Sequence, residues 1–355
     1  MHQKVSGSPV KPEVTSLPIP ADLPSMEELN PFADVEDFTD AIHQLRDEIH
    51  PSQLQSISVL LSLCVFGTKI KTREECMRQL LQEYPITHEL LRHYHNQPEA
   101  LLWAASLLCQ VNSNAVAKLA SLHKKEGAFE RALKLFQHAL KRQPLNKDRN
   151  PEDALRARNI TLFEIAHCFT RLGILHDSDR ALSLIVSDGE AAVPQYKIDT
   201  LRVSNALLRG DFVRAEQLAR CIVSERPYDL PALTTIANVL LRKVSDREAL
   251  EESIEFTKLV LLSEPQNRVA LGLTAKAYKL LGDCRTAIDM LERLQQTQWT
   301  YSDTVLYVSL LLQSGDESIV KLRALEKRYN KRTWTQCLSD ARSLDQNMRE
   351  PPVDT

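Results

Sequence analysis

Aromatic residues, glycine and an excess of charge are all scarce in this sequence. Aromatics make up 6% of the 355 residues, there are only 9 glycines, and the formal net charge is −3. A charge so close to zero gives no global attraction to nucleic acid or to an anionic membrane. The sequence has no glycine-rich phosphate loop and no Gly-x-Ser-x-Gly turn, so it shows no sign of a nucleotide site or of a serine hydrolase.

Long apolar runs and closely spaced cysteine pairs are also missing. No run reaches the ~18 residues that a membrane-spanning helix requires, and the apolar stretch 57–66 is better explained as a buried helix. Met1 is followed by polar, proline-rich sequence in which no secretory signal is visible. The cysteines are scattered singly, at Cys64, Cys76, Cys109, Cys168, Cys221, Cys284 and Cys337. Thiols within apolar helical stretches are typical of a reduced, cytoplasmic protein.

A metal site is not indicated by the histidines that lie close together, His88, His93 and His95. The segment HELLRH resembles a zinc-protease motif but has one residue too many between its histidines. Because a helix turns ~100° per residue, that separation points the two rings apart. Carboxylates follow the surfaces of the predicted helices, where solvated pairs four residues apart are the ordinary explanation. We therefore expect no metal, no cofactor and no enzymatic activity.

What the sequence does contain is a repeated helix pair, whose clearest copy is SNAVAKLASLHKKEGAFERALKLFQHALKRQP at 113–144. Ala132 lies where two helices must approach closely, Gly127 supplies the turn, and Phe129 fills the space between the helices. Pro144 stops the second helix. These spacings resemble the tetratricopeptide repeat, a helix pair of ~34 residues that stacks because it cannot bury its apolar face alone.

Later copies keep these positions to different degrees, and they occupy 154–186, 196–227, 230–265 and 268–298. In the first of them Ser178 holds the place of the usual alanine, and the third is lengthened between its helices around 243–247. The resemblance implies an all-α fold, a right-handed superhelical solenoid of the tetratricopeptide type with a disordered N-terminal arm.

The predicted organisation follows from these copies and from the proline-rich start, which cannot repay the entropy of ordering. It is a disordered arm at 1–33, divergent N-terminal helices at 34–112, repeats at 113–298 with a loop at 145–153, C-terminal repeat or capping helices at 299–346 and a tail at 347–355.

A short motif, Asn30-Pro31-Phe32, ends the arm. It resembles the tripeptide that EH domains of membrane-trafficking proteins bind, a turn that presents the phenylalanine to a pocket. The alternative is that Asn30 caps a helix whose first residue is Pro31.

A narrower resemblance rests on NITLFEIAHCFTRLG, RGDFVRAEQLA and AYKLLGDCRTAIDMLE, and on Thr335-Gln336-Cys337-Leu338 near the end of the chain. These stretches are similar to the repeat region of subunit 12 of the TRAPP vesicle-tethering complex. The resemblance implies a non-catalytic subunit in transport between endoplasmic reticulum and Golgi, cytoplasmic or peripheral at those membranes, with other protein subunits as its partners.

Two further interpretations stay open, a peptide-binding adaptor or co-chaperone and a regulatory subunit of an enzyme complex. Tetratricopeptide proteins that clamp the C-terminal carboxylate of chaperones carry Lys, and Asn four residues later, in a first helix. The matching positions here are Ala117 and Ser121, which argues against that clamp.

The first helix of each pair lines the concave face of a tetratricopeptide stack, so fixed positions of these helices predict a binding groove. They are Asn114, Ser121, Lys124, Lys125, His167, Arg171, Lys197, Ser204, Asn238, Arg242, Lys276 and Lys279. No acid occurs among them, although the chain has 47 acidic and 44 basic residues. A basic groove would attract an acidic or phosphorylated segment of a partner. The alternative is that Lys and Arg extend from many helix faces.

Overall fold

The computed structural model describes residues 18–66, 70–109, 112–143, 151–186, 192–295, 299–314, 319–327, 329 and 331–349. All regular structure in these residues is helical. Contacts divide the chain into two compact units, Met1–Leu201 and Arg202–Thr355.

The first unit begins with short and divergent helices and continues with regular pairs. Its helices are α1 (Met26–Leu29), α2 (Glu36–Glu48), α3 (Pro51–Phe66), α4 (Ile70–Glu83), α5 (His88–Tyr94), α6 (Pro98–Leu108), α7 (Ser113–Lys125), α8 (Phe129–Arg142), α9 (Pro151–Arg171) and α10 (Leu175–Ser183). A 3₁₀ turn at Pro85–Thr87 precedes α5, and α11 (Gln195–Arg209) crosses the division between the units.

The second unit continues the alternation of first and second helices. Its further helices are α12 (Phe212–Glu225), α13 (Leu230–Leu240), α14 (Arg247–Ser263), α15 (Arg268–Leu280), α16 (Cys284–Gln295), α17 (Tyr301–Gln313), α18 (Ile319–Glu326) and α19 (Lys331–Arg349).

Helix α6 is the buried centre of the divergent part of the first unit. It is apolar on all sides, as a helix with no solvent face must be, and Trp103 in its middle is fully buried. Its last carbonyls have no partner within the helix. The side chains of Arg46, Ser58 and Arg142 donate to the carbonyls at 105–107, at 2.8, 2.6 and 3.0 Å. Neighbouring helices therefore close its C-terminal end.

The turns within the helix pairs confirm the repeat register. Four of them use glycine in the left-handed region, with φ between 77° and 84°: Gly127, Gly173, Gly210 and Gly282. The amide of the residue after the glycine then caps the C-terminal end of the helix. In α7, for example, the Ala128 amide donates to the His123 carbonyl at 2.9 Å. This pattern is the Schellman motif, which only glycine adopts at little cost. The lengthened turn after α13 contains no glycine.

The small positions of the repeats lie at helix crossings. Ala132 and Ala215 are 0% exposed, which confirms their predicted burial. Ser178, at the alanine position of the looser copy, is equally buried, and its hydroxyl is 2.9 Å from that of Thr170. That hydrogen bond makes the polar substitution tolerable.

Within each unit, like helices lie side by side. Lys124 on α7 contacts Glu164 on α9, so first helices adjoin in the first unit. In the second unit, Arg220 on α12 makes two 2.8 Å hydrogen bonds to Glu252 on α14, so second helices adjoin as well. We call these two surfaces of each unit the first-helix face and the second-helix face.

Two segments differ from the sequence expectation. Helix α9 begins at Pro151, inside the predicted loop at 145–153, because proline in the first turn followed by Glu152 and Asp153 favours a helix start. Residues 145–150 of that loop, and Pro144 before it, lie outside the described residues. In the predicted disordered arm, residues 1–17 also lie outside them, whereas the described residues 18–33 contain the buried side chains of Pro18 and Met26.

Candidate protein-binding faces

The first-helix face of the first unit brings together Lys124, His167 and Arg171 of the predicted groove. Lys124 on α7 donates to the carboxylate of Glu164 on α9. The expectation of a face without acids is therefore wrong here, because Glu164 precedes His167 by one helical turn and points to the same face. The pair cancels the charge of Lys124, and Arg171 and Lys125 remain as the exposed cations beside it.

An aromatic and a guanidinium group lie together at the end of α9. The Arg171 guanidinium carbon lies 5.0 Å from the centre of the Phe129 ring, and the His167 ring centre lies 6.4 Å from the same ring. Such stacking holds a guanidinium through its flat face and leaves its N–H edge able to donate to a carboxylate or phosphate. Sequence reasoning assigned Phe129 to the helix interface and missed this contact.

His167 is held neutral on this face. Burial lowers its pKa, and the nearby charges of Lys124 and Arg171 lower it further, while Glu164 acts in the opposite direction. Its Nδ1 atom is buried and finds no hydrogen-bond partner among the described residues. His167 can therefore contribute a hydrogen bond rather than a charge at neutral pH.

The other predicted groove residues of the first unit, described next, are either exposed or bonded within their own helix. Asn114 and Lys197 are exposed, and Ser121 is half-buried with its hydroxyl donating to the Ala117 carbonyl at 2.9 Å. Ser121 thus satisfies its own helix and offers little to a ligand.

In the second unit the predicted groove residues separate into exposed and structural ones. Arg242 and Lys276 are exposed, and Ser204 and Asn238 are half-buried. Lys279 differs from the prediction, because it is only 7% exposed and its ammonium group donates to Ser309 on α17 at 2.5 Å. It joins two first helices instead of facing solvent.

The Asn30-Pro31-Phe32 tripeptide forms a packed turn after α1. The Phe32 ring centre lies 5.0 Å from that of Phe38 and 6.2 Å from that of Tyr94. The Phe32 amide donates to Asn30 Oδ1 at 3.1 Å, and Asn30 is the C-terminal cap of α1 rather than the N-terminal cap of the next helix. A partner could take Phe32 only by pulling it out of this aromatic cluster.

Truncation of Phe32 tests that packing. We expect Phe32→Ala to lower the free energy of unfolding by at least the ~0.5–1.5 kcal/mol that a favourable aromatic pair is worth. Chemical denaturation followed by circular dichroism measures the change, with the exposed neighbour variant Pro31→Ala as control. An unfolding midpoint that does not move would mean that Phe32 is free to act as a recognition residue.

Comparisons with known proteins come from sequence and from structure. No family model matches the sequence, and no curated protein matches it. Among solved structures, a tetratricopeptide repeat protein from Parabacteroides merdae has 16% identity and a TM-score of 0.51, over 75% of this chain and 98% of that one. This likeness shows the fold, an all-α stack of tetratricopeptide-type helix pairs.

Two other solved structures are similar at lower scores. Yeast Tom70 has 13% identity and a TM-score of 0.44, over 92% of this chain and 79% of that one. YrrB, described as a tetratricopeptide protein with an unusual peptide-binding site, has 14% identity and a TM-score of 0.37, over 58% of this chain and 95% of that one. In the part of this chain that the structure describes, no helix is both long and apolar enough to cross a bilayer.

Proposed function

We propose that this chain is a non-catalytic protein–protein interaction scaffold whose first-helix faces bind segments of partner proteins. The fold supports this, because stacked helix pairs present rows of side chains to a partner. The observation that carries it is the exposed Arg171 guanidinium, which lies over the Phe129 ring. This group is preorganised to receive an acceptor from outside the chain.

The chemistry of these faces favours an acidic or phosphorylated segment as the partner. Arg171 and Lys276 are exposed cations on first helices, and Arg242 is an exposed cation in the turn just after the first helix α13. A stacked arginine loses little rotational freedom on binding and can make paired hydrogen bonds to a carboxylate or phosphate. Nucleic acid is not the proposed partner, because the net charge is −3 and the stacking platforms of single-strand binders are missing from the sequence.

For the cellular context we propose a subunit of a TRAPP-like vesicle-tethering complex in transport between endoplasmic reticulum and Golgi. Support for this context comes from the sequence resemblance described above. A peptide-binding adaptor or co-chaperone and a regulatory subunit of an enzyme complex are the alternatives. In each case the chain acts in the cytoplasm, at most peripherally on those membranes, and binds other proteins without a cofactor.

Affinity purification of the full chain followed by mass spectrometry tests both the proposed cellular context and the proposed binding face. Tethering subunits, chaperones or an enzyme would be recovered according to which context is correct. The variant Arg171→Glu/Arg242→Glu/Lys276→Glu, the first-helix triple reversal, should lose the acidic partner.

The control for that experiment changes charge equally on the other face. Arg131, Arg214 and Arg285 are exposed residues of second helices, and their change to Glu gives the second-helix triple reversal. We expect it to keep the partner set of the unaltered chain. If the first-helix triple reversal is folded and also keeps every partner, the first-helix faces are not the binding surface.

A further inference from the structure

Residues 18–24, Pro-Ile-Pro-Ala-Asp-Leu-Pro, lie over the second-helix face of the first unit. We call this segment the strap. It is not helical and contains a turn at Ala21 and Asp22. Together with α8, α10 and the end of α9 it lines an open cleft of about 780 Å³. That volume lies in the range of ~300–1,000 Å³ that is usual for ligand sites.

Polar side chains of α8 hold both ends of the strap. Gln137 Nε2 donates to the Pro18 carbonyl at 2.8 Å, and His138 Nε2 lies 2.6 Å from the Pro24 carbonyl. Both side chains are nearly buried, at 4% and 9% exposure. Proline has no amide hydrogen and offers only its carbonyl, so two donors on α8 are the complement that a proline-rich segment requires.

His138 has the protonation state that its contact with the Pro24 carbonyl requires. Burial lowers its pKa, and although the hydrogen bond to Pro24 raises it, Arg142 and Lys141 lower it further. A neutral imidazole with its proton on Nε2 donates to the Pro24 carbonyl. The contact therefore needs no charged histidine at neutral pH.

Apolar side chains of the strap and of the helices also contribute to the contact between the strap and the cleft. Ile19 is packed against the core of the first unit, and Leu23 lines the cleft. Leu133, Phe169 and Leu172 line it from the helices. The strap thus presents two apolar side chains four residues apart between two proline carbonyls. Empty space remains in the cleft beside the strap, so the strap fills only part of it.

We propose that this second-helix cleft is a binding site for a proline-containing, non-helical segment of a partner protein, and that the strap occupies part of it within the same chain. The strap defines the chemistry of the partner segment: two apolar side chains flanked by proline carbonyls at the spacing of Pro18 and Pro24. This site is lined by α8, α10 and the end of α9, and its lining does not include Lys124, His167 or Arg171 of the first-helix face.

The strap competes with any partner segment for the cleft, so a partner needs enough affinity to displace it. A segment joined directly to its site competes at an effective concentration of ~mM. Met26, just after the strap, is buried and keeps it close to the cleft. A partner segment of similar contacts therefore binds the chain weakly until the strap is displaced, which makes the strap an autoinhibitory contact.

The test measures binding of a fluorescent peptide of residues 17–25 by anisotropy. The full chain is compared with Ile19→Asp/Leu23→Asp, a full-length variant whose altered strap leaves the cleft. We expect the peptide to bind this released chain at least ~10-fold more tightly than the unaltered chain. Ala21→Asp, at an exposed strap position, should behave as the unaltered chain.

Substitutions in the cleft and in the peptide test whether binding is specific. In the released chain, Gln137→Ala/His138→Ala should abolish binding, and a peptide carrying Asp at the positions of Ile19 and Leu23 should not bind. If circular dichroism shows that the released chain has unfolded, a chain lacking residues 1–24, which keeps the Met26 anchor, replaces it.

Three results would overturn the proposal. In the first, the peptide binds neither the released nor the shortened chain. In the second, the peptide binds both chains, but the peptide with Asp at the positions of Ile19 and Leu23 binds them as tightly as the unaltered peptide. The unaltered chain could also run as a dimer that the Asp substitutions convert to a monomer, which would assign the cleft to the strap of a second copy. None of these results depends on Arg171, Arg242 or Lys276, so they leave the first-helix proposal to its own test.

Discussion

Replacement of Trp103 by alanine is expected to lower the free energy of unfolding by about 3–5 kcal/mol, the usual cost of removing a large aromatic ring from a core. Trp103 is fully buried in α6, and α6 is enclosed by its neighbours on every side. Interiors are close-packed, so helices held in place by α2, α3 and α7 cannot fill the space of the lost ring.

Chemical denaturation followed by circular dichroism measures this effect, and two variants act as controls. Tyr228 is 91% exposed, so Tyr228→Ala should change the free energy of unfolding by less than ~0.5 kcal/mol. Trp103→Phe should cost less than Trp103→Ala, because it keeps most of the packing and removes an indole N–H that has no hydrogen-bond partner among the described residues. A loss below ~1 kcal/mol for Trp103→Ala would contradict the burial of α6.

Enlargement of Ala132 to leucine tests the repeat register. Ala132 is 0% exposed where α8 meets α7, so added methylenes must push the helices apart or force strained rotamers. Overpacking of this kind costs about 1–3 kcal/mol. Ala324→Leu on α18 is the matched control, because Ala324 is exposed and leucine is nearly as good a helix former as alanine.

Thermal unfolding of the two variants gives the answer. The Ala132→Leu chain should melt well below the unaltered chain, and the Ala324→Leu chain should melt close to it. Equal melting temperatures for Ala132→Leu and the unaltered chain would mean that the small position of the repeat has been assigned to the wrong residue.

The repeats could be predicted from the sequence because their determinants are local. Gly127 and Gly282 end first helices in the left-handed conformation, and this requirement can be recognised within a few residues of the turn. Ala132 follows at a fixed distance from that glycine, so its burial was expected as well. The helix pair is a short-range unit, and a sequence read in order reveals it.

The strap and the Lys124–Glu164 pair could not be predicted in this way. Pro18 and Gln137 are far apart in sequence, and their contact depends on the path of the chain through the whole first unit. The composition of this proline-rich segment predicts disorder, because it buries little apolar surface by itself. Its order comes from donors on α8 that composition does not reveal.

Partner binding by the exposed cations of the first-helix faces is the central feature of the proposed function. The decisive measurement is the association rate constant with the purified partner at several ionic strengths, for the unaltered chain and the two triple reversals. Exposed charges are screened beyond ~8 Å at physiological salt, and electrostatic steering acts mainly on association. We predict that the first-helix triple reversal associates more slowly and loses most of the salt dependence, while the second-helix triple reversal retains both. Equal rates and equal salt dependence for the two reversals would contradict the account.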